Sequence, residues 1–217
     1  MDSSEQILKK VGIALLIVGV IDIGVMIYCI TNKISYSSSF NIFAVIAGIF
    51  LMKGSIRTAR AVTFFGAFML AGFIGLLVIF PFMEPFELKA ITFKLRPVST
   101  VLSYVFMFVA IGFVYWVYKS LASEPVMTAR KEAGLSHGVP KLAFALGGIL
   151  VIGLSIAMYL LNNGSSAEIA KEKALEQFGD SYKYHITAMN FSGGHASARL
   201  TAYREGEIKD VHVEWNE

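Results

Sequence analysis

The chain has 217 residues, 55% of them hydrophobic, with a mean hydropathy of +0.62 and 16% charged residues, against about 25% in a typical soluble domain. Residues 1–161 carry 13 Lys and Arg against 7 Asp and Glu, whereas residues 162–217 carry 6 against 9. A cationic apolar part joined to an acidic tail accounts for the net charge of +3 without nucleic acid, and the single cysteine, Cys29, excludes an intrachain disulfide or a multi-cysteine metal site.

Residues 11–30 hold one charge, Asp22, and follow Lys9 and Lys10. Twenty helical residues rise about 30 Å, the thickness of the hydrocarbon core of a bilayer. The run is longer than the apolar core of a cleaved signal peptide, and no small-residue cleavage site follows it. Tyr28 before Cys29 departs from a lipoprotein attachment site, so Cys29 reads as a small apolar helix residue.

Four further apolar segments follow, at 34–52, 61–83, 98–118 and 142–161. In lipid such runs must be helical, because every backbone group has to be satisfied within the segment. The second opens with Ser35, Ser37, Ser38, Ser39 and Asn41, so a re-entrant segment is the alternative to a full crossing there. Small residues at four-residue spacing (Ala44 and Gly48; Ala67, Ala71 and Gly75; Ala143 and Gly147; Gly153 and Ala157) predict close packing within one bundle. An Asp at mid-membrane costs about 2.5–3.5 kcal/mol on insertion scales, so Asp22 needs a partner. Asn41 stands at matching depth in the next segment, and the reading pairs Asp22 with Asn41.

Orientation follows from Lys and Arg in short loops. With the N-terminus inside, nine cations fall inside and four outside. Five crossings then put the tail outside, as in a bacterial inner-membrane protein with a cytoplasmic N-terminus and a periplasmic C-terminal domain. Residues 84–97 read as an amphipathic segment lying on the membrane surface, with Phe86, Leu88, Ile91, Phe93 and Leu95 as its apolar positions. Gly134, Ser136 and Gly138 form a literal G-x-S-x-G, but in a loop between two membrane helices, where a nucleophile elbow has no place.

The tail, residues 165–217, reads as a separate soluble α+β domain beside the helical bundle of 1–161. A helix starts at Ser165 or Ser166 and stops at Gly179, with Ala170, Ala174, Leu175 and Phe178 as its apolar face. Period-two alternation then marks strands at 182–191, 195–204 and 207–215. A two-residue turn at Glu205-Gly206 pairs Leu200 with Val211, Ala198 with Val213 and Ala196 with Trp215 on one apolar face. Arg199 with His212, Thr201 with Asp210 and Ser197 with Glu214 fall on the other. A three-residue loop at Ser192-Gly193-Gly194 sets Ile186 opposite Leu200 and Ala188 opposite Ala198. His185, His195 and His212 do not converge, so they read as solvated surface histidines rather than metal ligands.

The fold class is therefore a five-span helical membrane bundle carrying a helix packed on a three-stranded antiparallel meander. Phe178-Gly179, Ser192-Gly193-Gly194-His195-Ala196 and the terminal Val213-Glu214-Trp215 give the tail a pattern that resembles the cytochrome c oxidase assembly factor family of the inner membrane. That family has a membrane helix followed by a short helix and a small antiparallel sheet. The resemblance covers only the tail, and the single-span anchor of the family differs from five spans. It implies an assembly or interaction role and brings no catalytic residue with it. The expected function is thus non-enzymatic, without cofactor or metal. The expected partners are the lipid bilayer and either another protein or a second copy of the chain. A small oligomeric transporter or proton-coupled channel component using Asp22 is the alternative.

Overall fold

The computed structural model describes residues 3–34, 36, 40–136 and 138–216, without the side chains of Phe40 and Asn41. The helices are α1 (Ser3–Thr31), α2 (Phe40–Met52), α3 (Ile56–Met83), α4 (Phe86–Leu95), α5 (Pro97–Leu121), α6 (Glu124–Glu132), α7 (Lys141–Asn163) and α8 (Ser165–Phe178). The strands are β1 (Lys183–Ser192), β2 (His195–Arg204) and β3 (Glu207–Asn216). They group into two compact units, Met1–Ala71 with Ile111–Gly147 and Gly72–Ala110 with Gly148–Glu217.

Among the described residues, α1, α3, α5 and α7 are long and apolar enough to cross a membrane. Large apolar side chains such as Ile17, Ile21, Phe106, Ile149 and Ile152 stand exposed along them. Helices that are apolar all round and unburied belong against lipid rather than water. The second expected span is shorter than the sequence reading placed it. Its helix begins only at Phe40, and 13 residues rise about 20 Å, short of the hydrocarbon core. The serine-rich start of the expected span falls largely at Ser35 and 37–39, outside the described residues.

In the first unit α2 runs back against α1. A β-carbon built on Gly12 would lie 2.7 Å from the Gly48 carbonyl oxygen, and one on Gly48 would lie 2.7 Å from that of Gly12. The two backbones meet where neither helix has a side chain. Leu51 at the end of α2 shares a core with Leu8 and Val11 at the start of α1, together with Ala59, Val117, Leu121 and Val126. The chain thus returns to the side of this unit from which α1 set out. At this end Lys10 sits 5.9 Å from the Trp116 ring and Lys119 lies 5.9 Å from that of Tyr115, the cation–aromatic pairing suited to a bilayer interface.

In the second unit Gly75 on α3 makes room for Val151 on α7, whose methyl carbon would lie 2.8 Å from a β-carbon at that position. Lys89 donates to the Phe80 carbonyl at 2.8 Å and also to that of Pro81, satisfying orphan acceptors at the negative end of α3. Residues 86–95 are helical, but Leu88 and Ile91 turn onto Tyr203 and Ile208 of the sheet, while Phe86 and Phe93 are exposed. Lys183 pairs with Glu87 across the same junction.

The sheet has the order β1-β2-β3. All six expected β2–β3 pairs are present. On β1 Ile186 does face Leu200, but Ala188 does not face Ala198. It pairs with Arg199, and Met189 takes the place opposite Ala198, because the register shifts between Ile186 and Ala188. The hairpin itself is tighter than expected. Ser192 pairs with His195, leaving a two-residue turn at Gly193 and Gly194 with φ of 59° and 79°, angles that glycine adopts without steric cost. α8 covers the apolar face through Ala167, Ala170 and Ala174, packed with Ile186, Leu200, Val211 and Val213. Leu175, expected on that face, is 44% exposed. The face in contact is the narrow stripe of alanines spaced three and four apart, which lets the helix lie close to the sheet.

Candidate functional site

Three places combine polar chemistry with geometry that a ligand or partner can use. The first is Asp22, whose carboxylate accepts a hydrogen bond from the Tyr36 hydroxyl. The Asn41 side chain, its expected partner, lies outside the described residues. Tyr36 sits inside a serine run, where the local pattern gives no sign of a partner; the signal is a phenol within reach of a half-buried acid. A carboxylate held this way suits a structural role. Asp22→Asn is expected to leave the detergent melting temperature nearly unchanged, since an amide oxygen can accept the same bond. The Tyr36 hydroxyl also lies 3.3 Å from the Asp22 backbone carbonyl, so Asp22→Leu, which removes only the carboxylate acceptor, should cost about 0.5–1.5 kcal/mol. Equal stability of the two variants would remove the Tyr36 bond as a stabilising contact.

The second place is a cleft of about 570 Å³ within the second unit, where α3 and α7 end against the tail. Ile79, Phe82 and Met158 give it an apolar floor; Glu84, Lys171 and His185 give it charge and hydrogen-bonding groups. Asn162 organises it: its carbonyl oxygen accepts from Lys171 at 3.0 Å and its side-chain oxygen from the Ile186 amide at 3.3 Å. His185, expected on the solvated surface, is only 7% exposed. It does stand on the polar sheet face opposite Thr201, but it shares its cleft with Glu84, Asn162 and Lys171, all remote in sequence.

Burial holds the His185 imidazole below its usual pKa. Glu84 pulls the other way, and Lys171 and Lys89 add to the lowering. The unfolded chain takes up this proton near pH 6.5, by about which the folded chain still refuses it. The contribution of His185 is therefore fully present above about pH 6.5 and is lost as pH falls through the folded pKa. The tail is expected to melt at a lower temperature at about pH 5.5 than at about 7.5, and His185→Gln should flatten that difference. A slope that survives the substitution would assign it elsewhere. The Glu207 carboxyl, held below its usual range by hydrogen bonds from Tyr182 and then Arg204, acts only at more acidic pH.

The third place is the end of the sheet at the Gly193-Gly194 turn. Phe191, Ala196 and Trp215 form the last cross-strand row of the apolar face. Phe191 is 51% exposed and Trp215 is partly exposed beside it. Asn190, Ser192, Ser197, Glu214 and Asn216 line a shallow polar cleft of about 340 Å³ at the same end.

The remaining motifs do not assemble chemistry. Ser136 follows α6 in irregular chain, and its carbonyl accepts from Arg130 at 3.0 Å; His137 lies outside the described residues. His212 contacts Glu214 at 3.1 Å on the exposed face. Among the described residues no three His, Cys, Asp or Glu side chains are grouped to hold a metal ion. Compared with protein-family models, with curated proteins and with solved structures, the chain matches none, so the function has to be argued from its own residues.

Proposed function

We propose that this is a multi-pass membrane protein that works by binding rather than by catalysis, presenting its α+β tail to a protein partner as an assembly or interaction factor. The observation that carries the reading is the row of Phe191, Ala196 and Trp215 at the end of the sheet, where Asn190, Ser197 and Glu214 supply polar groups on the opposite face of the same strands. An aromatic anchor with a polar surround is the usual composition of a protein-binding hot spot. Lys183–Glu87 and the packing of Tyr203 on Leu88 and Ile91 hold the opposite end of the sheet, so the aromatic end is the one left for a partner. The resemblance of the tail pattern to the cytochrome c oxidase assembly factor family is in keeping with this reading.

For topology, five crossings are favoured, with the N-terminus cytoplasmic and the tail on the outer face of a bacterial inner membrane. The Lys and Arg bias supports this, as does the return of α2 to the starting side of α1. A photo-crosslinking residue at Phe191 is expected to capture one discrete protein, and one at Glu205, at the other end of the sheet, is not. Phe191→Ala combined with Trp215→Ala should cut co-purification of that protein about tenfold or more. If no stoichiometric partner survives in mild detergent and proteoliposomes conduct ions or solute, transport replaces this reading. A reporter fused after Glu217 and active only outside the cytoplasm should be active; the reverse result overturns the orientation.

A further inference from the structure

The first unit carries a second, unrelated binding feature. A groove of about 580 Å³ runs between α2 and α3. Small residues, Ala44, Ala47 and Ala61, and the rings of Phe43, Phe50 and Phe65 line it. One end of the lining is polar, at Arg57 and Thr58. The helices are joined by the short connection 53–55, so they run antiparallel and this polar end lies at the connection. From Arg57 to Phe65 the helix rises about 12 Å, most of the roughly 15 Å depth of one hydrocarbon leaflet. Lys53, Arg57 and Arg60 cluster at that end, and no Asp or Glu occurs anywhere between Asp22 and Glu84.

We infer that this groove binds an anionic phospholipid from the surrounding bilayer, with one acyl chain along the groove and the phosphate on Arg57. The apolar walls match a hydrocarbon chain, and the length matches a leaflet. The cations match a net negative headgroup, which a guanidinium grips through paired hydrogen bonds. A second copy of the chain is a poorer occupant, because a two-fold contact through this groove would bring Lys53, Arg57 and Arg60 of both copies together. The site does not depend on the partner of the tail.

The test uses the full-length protein in mild detergent with native mass spectrometry and thermal melting. Dioleoyl phosphatidylglycerol is expected to be retained and to raise the melting temperature. Dioleoyl phosphatidylcholine, with the same chains but no net charge, should bind about tenfold more weakly. Arg57→Gln should erase that preference, and Lys33→Gln, a cation on another connection, should keep it. Ala61→Phe adds a ring at an exposed position of the groove lining. It should exclude both lipids while the lipid-free melting temperature stays close to that of the unsubstituted chain. The inference is overturned if the two lipids bind equally, or if the preference survives Arg57→Gln. It is overturned equally if glycerol phosphate competes as well as the intact lipid, which would make this a bare phosphate site. A dimer that Ala61→Phe dissociates would give the groove to a second copy and overturn it too.

Discussion

Gly12→Leu is expected to break the α1–α2 hairpin. A single added carbon at Gly12 would stand 2.7 Å from the Gly48 carbonyl oxygen and 2.9 Å from the Met52 amide nitrogen. Both are backbone atoms, so no rotamer change relieves the clash and the helices must move apart. Moving them apart also loosens Leu8, Val11, Leu15 and Leu51, which are buried in the core the two helices share. Overpacking alone costs about 1–3 kcal/mol, and lost core contacts add to it, so even Gly12→Ala should lower stability measurably and Leu more so. Gly48→Ala should behave the same way, since its own β-carbon would meet the Gly12 oxygen at 2.7 Å and the Leu16 nitrogen at 2.9 Å. Gly24→Ala is the control on the same helix: nothing lies within 4 Å of its β-carbon, and alanine favours helix by about 0.5–1 kcal/mol. Thermal melting in detergent and proteolysis near Lys53 are the readouts. If Gly12→Leu and Gly24→Ala melt alike, α1 and α2 do not cross at these glycines.

Half of that crossing was readable beforehand. Gly48 belongs to a small-residue stripe with Ala44, whereas Gly12 stands just after Lys9 and Lys10, where the sequence suggests a helix entering the interface rather than a contact. The strands show the same division. Strict alternation in β2 and β3 leaves one register that gathers the apolar residues on one face, so those pairs follow from the sequence. On β1 one extra residue had to be placed between Ile186 and His195. The sequence reading put it in the turn, as Ser192; the chain puts it in a bulge at Thr187, between Ile186 and Ala188. The glycine pair can close a two-residue turn, and with the bulge Met189 rather than Ala188 enters the core, which buries more apolar surface. His185 was illegible for a different reason. It shares a cleft with Glu84 and Lys171, distant in sequence, and no local pattern reports such a neighbour. The same holds for α4, where the sequence reads as one membrane-surface segment: Leu88 and Ile91 pack on the sheet, while Phe86 and Phe93 remain exposed.

Leu200→Asp is expected to unfold the tail. Leu200 is fully buried (0% exposed) at the centre of the middle strand, between Ile186 and Val211, in the core that Ala170 and Ala174 roof. A carboxylate there loses its water and gains no partner, a penalty of several kcal/mol even after its pKa rises, and the packing of the leucine is lost as well, at about 2–5 kcal/mol. A domain of this size holds roughly 3–8 kcal/mol in all, so one substitution is comparable with its whole stability. Arg199→Gln, the neighbouring position on the solvated face opposite His212, should change stability by less than about 0.5 kcal/mol. Hydrogen exchange on the full-length protein separates the outcomes: Leu200→Asp should lose protection across β1, β2 and β3 together, because each strand contributes side chains to one core. Ala174→Asp attacks that core from the helix side, where Ala174 is also fully buried, and should produce the same loss. If Ala174→Asp is tolerated while Leu200→Asp is not, something other than α8 covers the sheet; if both are tolerated, the strands are not paired in this register.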